Sequence, residues 1–404
     1  MIRVGLVRTQ PTYAGLRPPF GPGEAYPELV QLLGERVTDG PHNSAYLAVR
    51  AALAALGLDA ARFGTSNWNP LGALVRLGGT IVLKPNFIRH MNPAAGGTVE
   101  SVITHGAIVR AVADYAFLAA GAEGSVAVAE APQQDCDFER IREITGLNEI
   151  TRFYEETLGR SLEVIDLRRE SVVFRDGIIV SRRDLPGDPK GYRVVDLGER
   201  SFFTGSGLDP ARFRGADYDP VATAEHHMGG RNAYLLSETV LSADLVVSLP
   251  KLKTHKKTGI TLALKNLSHG LVNNVSRSHG TNSLNACNAF IPAVVAMPVI
   301  RNKTVLHILD GVKGVYHGGP GASPQFVWEN KTLYFATDPV ALDHLGWQVI
   351  DAKRVSVGMK KLVEDRPDEF SNFVHRQPEH VEIAGALGLG EWDWTKTDVR
   401  QVKL

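Results

Sequence analysis

The sequence predicts an α/β fold: a mostly parallel sheet covered by helices on both faces, with an inserted β-rich segment. Short apolar runs of strand length recur along the chain, and segments with helical periodicity lie between several of them. Such alternation is typical of parallel sheets, because each crossover helix packs on a face of the sheet.

Each predicted element follows from its apolar pattern. The predicted strands are residues 2–7, 80–83, 125–129, 162–165, 245–249, 304–309 and 332–335. The predicted helices are residues 45–56, 108–120, 233–241, 260–267 and 340–350.

The chain of 404 residues is long enough for a single large α/β unit or for two closely packed lobes. Residues 171–219 are rich in Arg, Asp, Gly and Pro, and we interpret them as an inserted β-ribbon or lid. Residues 11–41 carry many prolines and glycines and are predicted to form a long ordered loop.

Charge and cysteine content narrow the classes of function. Lys plus Arg and Asp plus Glu both number 44, so no overall field favours nucleic acid or an anionic membrane, and recognition of a small anionic substrate has to be local. Cys136 and Cys287 fit no CxxC pattern, so no iron–sulfur cluster is expected and a reduced, cytoplasmic setting is predicted. With no apolar run of about 18 residues, no membrane insertion is expected. A homo-oligomer in which sheet edges pair is possible, and the sequence does not decide whether it forms.

Two predicted strands end in lysines. The run IVLKPN places Lys84 and Asn86 after one strand, and VVSLPKLKTH places Lys251, Lys253 and His255 after another. Ligands of open parallel sheets bind beyond the carboxyl ends of the strands. We therefore expect both groups to face one crevice that binds a phosphate or carboxylate.

The stretch after these lysines predicts a loop and then a helix that starts near Thr258 and carries Lys265 and Asn266. The unpaired N–H groups of a helix N-terminus favour anions, and the neighbouring lysines would add charge. Lysine runs are also common on solvated surfaces, and Lys256 and Lys257 fit that interpretation better. A lysine within an apolar helix face, such as Lys265, is unfavourable unless it is paired.

Further candidates lie at other element ends. His105 precedes a helix and could bind an anion or move a proton, while Thr104 before it is a candidate N-cap. Glu130 ends a strand, where it could pair with a crevice lysine or act as general acid or base. Asp310 follows a strand and precedes a glycine-rich turn, and Asp338 before Pro339 is typical of a helix N-cap.

Histidines leave a divalent metal as an alternative, although no spacing such as HExxH identifies a site. Its ligands would come from His226, His227, His255, His269, His279 and His317.

Several of these blocks together resemble a known family. IVLKPNFI, VITHGAIVRAV, SVAVAEAP, DLVVSLPKLKTHKKTGITLALKNL, ILDGVKG and TDPVALD are similar, in order, to the domain of unknown function 362 family. Many relatives carry a ferredoxin-like cysteine-rich module that this sequence lacks, some resemble accessory proteins of cell-surface polysaccharide biosynthesis, and the family is distantly similar to nickel-dependent lactate racemase. The positions that the resemblance carries over are Lys84, Asn86, His105, Lys251, Lys253, His255, Lys265, Asn266 and Asp310.

Three functions follow as hypotheses. The first is an isomerase or lyase in which Lys84, Lys251 and Lys253 bind an anionic metabolite, His255 or His105 moves a proton and Lys265 stabilises developing negative charge. Asn86, Thr258, Asn266 and Asp310 are further substrate-binding candidates, and Glu130 is a further catalytic one. The second is a metal- or cofactor-dependent oxidoreductase or racemase. The third is a non-catalytic ligand-binding or assembly protein.

Overall fold

The computed structural model describes residues 2–8, 10–176, 178–205, 207–213, 220–271, 287–364 and 377–403. Its strands are β1 Ile2–Arg8, β2 Thr80–Pro85, β3 Ser125–Glu130, β4 Leu162–Asp166, β5 Glu170–Arg175, β6 Ile178–Asp184, β7 Tyr192–Asp196, β8 Ala233–Ser237, β9 Leu245–Leu249, β10 Lys251–His255, β11 Gly259–Ile260, β12 Leu306–Val315, β13 Val327–Ala336 and β14 Thr397–Lys403. Its α-helices are α1 Val30–Leu33, α2 Ser44–Ala55, α3 Gly106–Ala120, α4 Phe138–Ile144, α5 Leu147–Arg152, α6 Pro220–His227, α7 Glu238–Ser242, α8 Leu262–His269, α9 Cys287–Val295, α10 Pro298–Arg301, α11 Pro339–Ser356 and α12 Glu379–Ala386.

A large mixed sheet forms the centre of the fold, in the order β14-β1-β13-β12-β9-β2-β3-β4. The stretch from β12 to β4 is parallel throughout, and β1 pairs parallel with β14. The hairpin of β12 and β13 and the pairing of β1 with β13 are antiparallel. The predicted α/β class with a mostly parallel sheet is confirmed.

Helices cover both faces of this sheet, because apolar side chains alternate along its strands. In β2, Ile81 and Leu83 join the core under α2 and α3, whereas Val82 joins the opposite core. A further core packs α8, α9, α11 and α12 against the other end of the sheet. None of the described helices is long and apolar enough to cross a membrane.

Antiparallel ribbons follow β4. Strands β5 and β6 form one two-stranded sheet, and β7 pairs with β8 in another. The helix predicted for residues 233–241 is therefore wrong in its first half, because Ala233–Ser237 pairs along its whole length with β7 and only Glu238–Ser242 is helical. Whether the ribbons form a lid, and whether the chain is one unit or two lobes, stay predictions.

The lysine-rich stretch after β9 also differs from its prediction. We expected a loop, but Lys251–His255 forms the buried strand β10, which pairs with β12 and continues the direction of β9 after Pro250. The following helix begins at Leu262 rather than near Thr258. Backbone pairing with a distant strand thus outweighs the polar composition of this segment.

Candidate active site

The candidate site lies where β2, β3 and β9 end side by side. Register places Lys84 of β2 opposite Ser248 of β9, and Lys251 of β10 opposite Asp310 of β12. Parallel strands end at one edge of a sheet, so the two predicted lysine groups come from neighbouring strand ends.

Lys84 is the centre of a fully buried hydrogen-bond group. Its Nζ donates to Glu130 Oε2 at 2.8 Å, to Asn266 Oδ1 at 3.0 Å and to the carbonyl of Pro85 at 2.8 Å. The Asn266 amide donates in return to the carbonyl of Lys84 and to Ser248 Oγ, both at 3.0 Å. All three N–H groups of the ammonium are satisfied, so Lys84 is paired within the protein.

In this pair the effect of burial outweighs the attraction between the two charges. Burial lowers the pKa of Lys84 and raises that of Glu130, while the attraction between the two opposes both shifts. The backbone N–H of Phe87 also donates to Glu130 Oε2 at 3.0 Å. The sequence left open whether Glu130 pairs with a crevice lysine or acts as general acid or base, and in the structure it pairs with Lys84.

Lys253 is buried beside this group, and none of the described carboxylates pairs with it. Its Nζ donates to Asn86 Oδ1 at 3.0 Å and to the carbonyl of Val102 at 2.6 Å. Burial lowers the pKa of Lys253 well below its ordinary value, and the neighbouring Lys265 and Lys251 lower it further. Lys253 is thus a buried amine held by two neutral oxygens.

Lys251 pairs with Asp310, with 2.9 Å between Nζ and Oδ2, and neither side chain is exposed. The same carboxylate accepts the backbone N–H of His105 at 3.0 Å and that of Val312 at 3.2 Å. Asp310 therefore ties β10, β12 and the start of α3 together.

His105, rather than Thr104, is the N-cap of α3. Its Nδ1 accepts the backbone N–H of Ala107 at 3.1 Å, which places the proton of the neutral ring on Nε2. Thr104 instead donates to the carbonyl of Leu249 at 2.6 Å. Burial lowers the pKa of His105 to about 4, so the ring is neutral at pH 7.

The N-terminal loop closes over this histidine. The ring of Tyr13 stacks on that of His105, with 3.7 Å between centroids and 7° between planes, and Phe20 meets it edge-on. Burial, followed by the Asp310 carboxylate, raises the pKa of the Tyr13 hydroxyl well above its ordinary value. Residues 11–41 thus contribute an aromatic cover that the sequence did not identify.

The N-terminus of α8 is not an open anion site. The carboxylate of Asp343, on α11, accepts the backbone N–H of Ala263 at 2.6 Å and that of Leu264 at 3.0 Å. The expectation that these groups bind a ligand anion is wrong, because a carboxylate of the chain already occupies the position. Thr258 likewise donates to the carbonyl of Ile260 at 2.7 Å.

Lys265 follows one turn later on α8, and 5% of it is exposed. Within the described part of the chain its amine makes neither a hydrogen bond nor an ion pair. Burial lowers the pKa of Lys265 to about 8. The pairing that the sequence argument required for a lysine on this face is therefore not made by the described residues.

His255 ends β10 and is buried, and its Nδ1 accepts the backbone N–H of Lys257 at 3.1 Å. Among the other candidate metal ligands, His226 and His227 are neighbours, with 6.4 Å between ring centroids, and His227 lies against Tyr234. His269 contacts Ser268 and Cys287, and His317 contacts Arg354. His279 lies outside the described residues. Over the described ranges, no group of three or more His, Cys, Asp or Glu side chains is placed to hold a metal ion.

The family model for a domain of unknown function, DUF362, matches residues 191–348. This stretch is similar to the DUF362 family. The DUF362 match runs from near the start of β7 into α11 and includes Lys251, Lys253, His255, Lys265, Asn266 and Asp310. Lys84, Asn86, His105 and Glu130 lie before it, although the structure joins them to the matched lysines. No curated protein matches the chain, and the similarity to lactate racemase stays a prediction.

Sequence reasoning missed several residues around these lysines. They are Tyr13, Gly270, Cys287, Asp343 and His380. None follows a predicted strand end in the sequence, which was the signal that identified the lysines. Only tertiary packing brings these residues to the site.

Proposed function

We propose that the protein is an enzyme of the isomerase or lyase type that acts on a small anionic metabolite. The site would be the lysine cluster, which we define as Lys84, Lys251, Lys253 and Lys265, together with the residues that hold it.

The balance of buried charge is the observation that carries this proposal. Each of the four lysines is at most 5% exposed. Two are ion-paired, Lys84 with Glu130 and Lys251 with Asp310. Removing an unpaired ammonium from water has a penalty of several kcal/mol. Lys253 and Lys265 therefore favour either the neutral amine or a bound anion as a counter-charge.

The pairing pattern divides the lysines by role. Lys84 and Lys251 are neutralised by the chain itself, so they hold the site together rather than bind substrate. When a bound anion supplies the counter-charge, Lys253 is an ammonium with a third N–H beyond the two given to Asn86 and Val102, and we assign it the substrate phosphate or carboxylate. This differs from the sequence hypothesis, in which all three strand-end lysines bind the anion.

The ring of His105 is better suited to donate a hydrogen bond to the substrate than to remove a proton from it. Because Nδ1 accepts the N–H of Ala107, the neutral ring presents Nε2–H, which lies 3.9 Å from Glu100 Oε1. With its pKa lowered to about 4, the free ring is a weak base at pH 7. Lys265, with its pKa lowered to about 8, is the stronger base and is still partly unprotonated at neutral pH.

Binding of defined anions tests the proposal. Isothermal titration with inorganic phosphate, sugar phosphates, 2-hydroxy acids and 2-keto acids should identify at least one ligand of the wild type. Lys253→Met should lower the affinity for that ligand about tenfold or more, because the variant loses one charged hydrogen bond. Lys360→Met, at an exposed lysine, should bind like the wild type.

Two results would overturn the proposal. If no anion binds, or if Lys253→Met binds as tightly as the wild type, the cluster is not an anion site. NMR spectra recorded while the protein is incubated with each ligand that binds then show whether the ligand is converted, which separates an enzyme from a non-catalytic binding protein. Binding of every ligand without any conversion would favour the latter.

A further inference from the structure

We propose that Lys265 is a nucleophilic amine that forms an imine with a carbonyl group of the substrate, so that the substrate is an anion bearing a ketone or an aldehyde. This inference rests on the proposed function, in which Lys253 binds the anionic group.

The position of Lys265 is fixed by the helix that carries it. The carboxylate of Asp343 accepts two backbone N–H groups in the first turn of α8. The side chain of Asn266, the residue after Lys265, makes three hydrogen bonds at the ends of β2 and β9. The backbone of Lys265 itself accepts the hydroxyl of Ser268 at 3.1 Å. A nucleophile on a helix held in this way is preorganised.

The surroundings of Lys265 favour the neutral amine. The groups that interact with it electrostatically are Lys253 of β10, Cys287 of α9 and His380 of α12. Among the described residues none of these is a carboxylate. A lysine that burial removes from water, with no carboxylate partner among the described residues, is activated as an amine for attack on a carbonyl.

The thiol beside it is a weaker candidate for the same step. Burial raises the pKa of Cys287 to about 11, which keeps the sulfur as a thiol at pH 7, and the thiolate is the reactive form. Burial lowers the pKa of Lys265 to about 8, so about a tenth of this amine is unprotonated at pH 7, far more than the share of Cys287 that is thiolate. The amine is therefore the nucleophile that the neighbourhood supports.

The chemistry balances without a redox partner. The lone pair of Nζ forms a bond to the carbonyl carbon, the C–O π bond breaks, and a proton passes from nitrogen to oxygen to give a carbinolamine. Protonation of its hydroxyl and loss of one water give the protonated imine. That cation withdraws electrons from the adjacent carbon, which favours removal of a proton or of carbon dioxide there, as isomerase and lyase chemistry requires.

Reductive trapping tests the inference. Wild-type protein is incubated with pyruvate, glyoxylate or dihydroxyacetone phosphate, treated with borohydride and analysed by intact mass and peptide mapping. We expect one adduct per chain, on Lys265. Acetone, a carbonyl compound without a charge, should be trapped far less. Lys265→Arg and Lys265→Met should lose the adduct, and Lys360→Arg should keep it.

The outcomes separate this inference from the function on which it rests. If an anion binds the wild type in titration but no carbonyl probe is trapped, or if the adducts are spread over exposed lysines, the imine is wrong and the proposed function stands. If no anion binds, both fail. Because the wild-type peptide map locates the adduct by itself, the test does not depend on the folding of the variants.

Discussion

The Nζ of Lys84 lies 2.8 Å from Oε2 of Glu130, and both side chains are buried. The two residues come from the ends of neighbouring parallel strands, and Asn266 of α8 joins them. The hydrogen bonds of Lys84 therefore connect the ends of β2 and β3 to helix α8.

Removing one member of this pair should be strongly destabilising. Lys84→Met or Glu130→Gln leaves the other group buried without its partner, and we expect each to lower the free energy of unfolding by about 3–5 kcal/mol. The double variant should lose less than the sum, because it leaves no uncompensated charge. Urea unfolding of the four proteins measures the coupling. Strictly additive losses would show that the pair is not energetically linked.

Gly270 should be intolerant of a side chain for the same reason. A Cβ at this position would lie 2.0 Å from Glu130 Oε1 and 2.3 Å from Lys84 Nζ. The backbone of Gly270 has φ −89°, so conformational strain does not contribute. Gly270→Ala should therefore lower the free energy of unfolding by about 1–3 kcal/mol, as overpacking of a core does. Unchanged stability in urea unfolding would contradict this close packing.

The sequence predicted the repeating parts of this fold well. Strand 80–83 and helix 45–56 have clear apolar periods, and the structure forms Thr80–Pro85 and Ser44–Ala55 there. Residues 251–255 were missed as a strand, because their lysines and histidine resemble a loop. Their burial depends on Asp310 and Asn86, which are distant in sequence and supply the compensating contacts.

The candidate site was predictable only as a set of strand ends. Because parallel strands end at one edge of a sheet, the sequence correctly predicted that Lys84 lies near the residues after β9. The partner of each lysine was not readable, because Glu130 is 46 residues from Lys84 and Asp343 is 80 residues from Ala263. Which lysines are neutralised and which are not is decided by these long-range contacts.

Asp343 should be more important for stability than its place within α11 suggests. Asp343→Ala would leave the N–H groups of Ala263 and Leu264 buried without an acceptor, which we expect to lower the free energy of unfolding by about 2–4 kcal/mol. Asp343→Asn keeps one acceptor oxygen and should lose less. Guanidinium unfolding of the three proteins provides the comparison. Equal losses for Ala and Asn would mean that hydrogen bonding to α8 is not the cause.

Stability should fall with acid because three histidines are buried in neutral form. Burial lowers the pKa of His105 to about 4 and those of His307 and His380 to about 3. An unfolded histidine titrates near 6.5, so below about pH 6.5 the unfolded chain binds more protons and stability decreases as pH falls. Each histidine contributes about 1.4 kcal/mol per pH unit in this window.

Urea unfolding at about pH 7, 6 and 5 checks this slope. His307→Leu should reduce the slope by the contribution of one histidine, because burial lowers the pKa of His307 to about 3. A slope that is the same in His307→Leu as in the wild type would mean that His307 is protonated in the folded state.

Lys265 should titrate near neutrality, and this has two measurable consequences. With its pKa lowered to about 8, the folded chain gives up this proton before the unfolded chain, whose lysines titrate near 10.4. Between about pH 8 and 10 the unfolded state binds more protons, so stability should rise with pH relative to Lys265→Met, by about 1.4 kcal/mol per unit.

The second consequence is reactivity. In competitive trace acetylation, labelling of Lys265 should increase with a midpoint at about pH 8, whereas exposed lysines such as Lys360 serve as the reference. Because burial, and not Lys253, lowers the pKa of Lys265 to about 8, Lys253→Met should leave this midpoint nearly unchanged. If the stability difference between wild type and Lys265→Met does not vary from about pH 8 to 10, Lys265 keeps an ordinary pKa and the argument for a neutral amine fails.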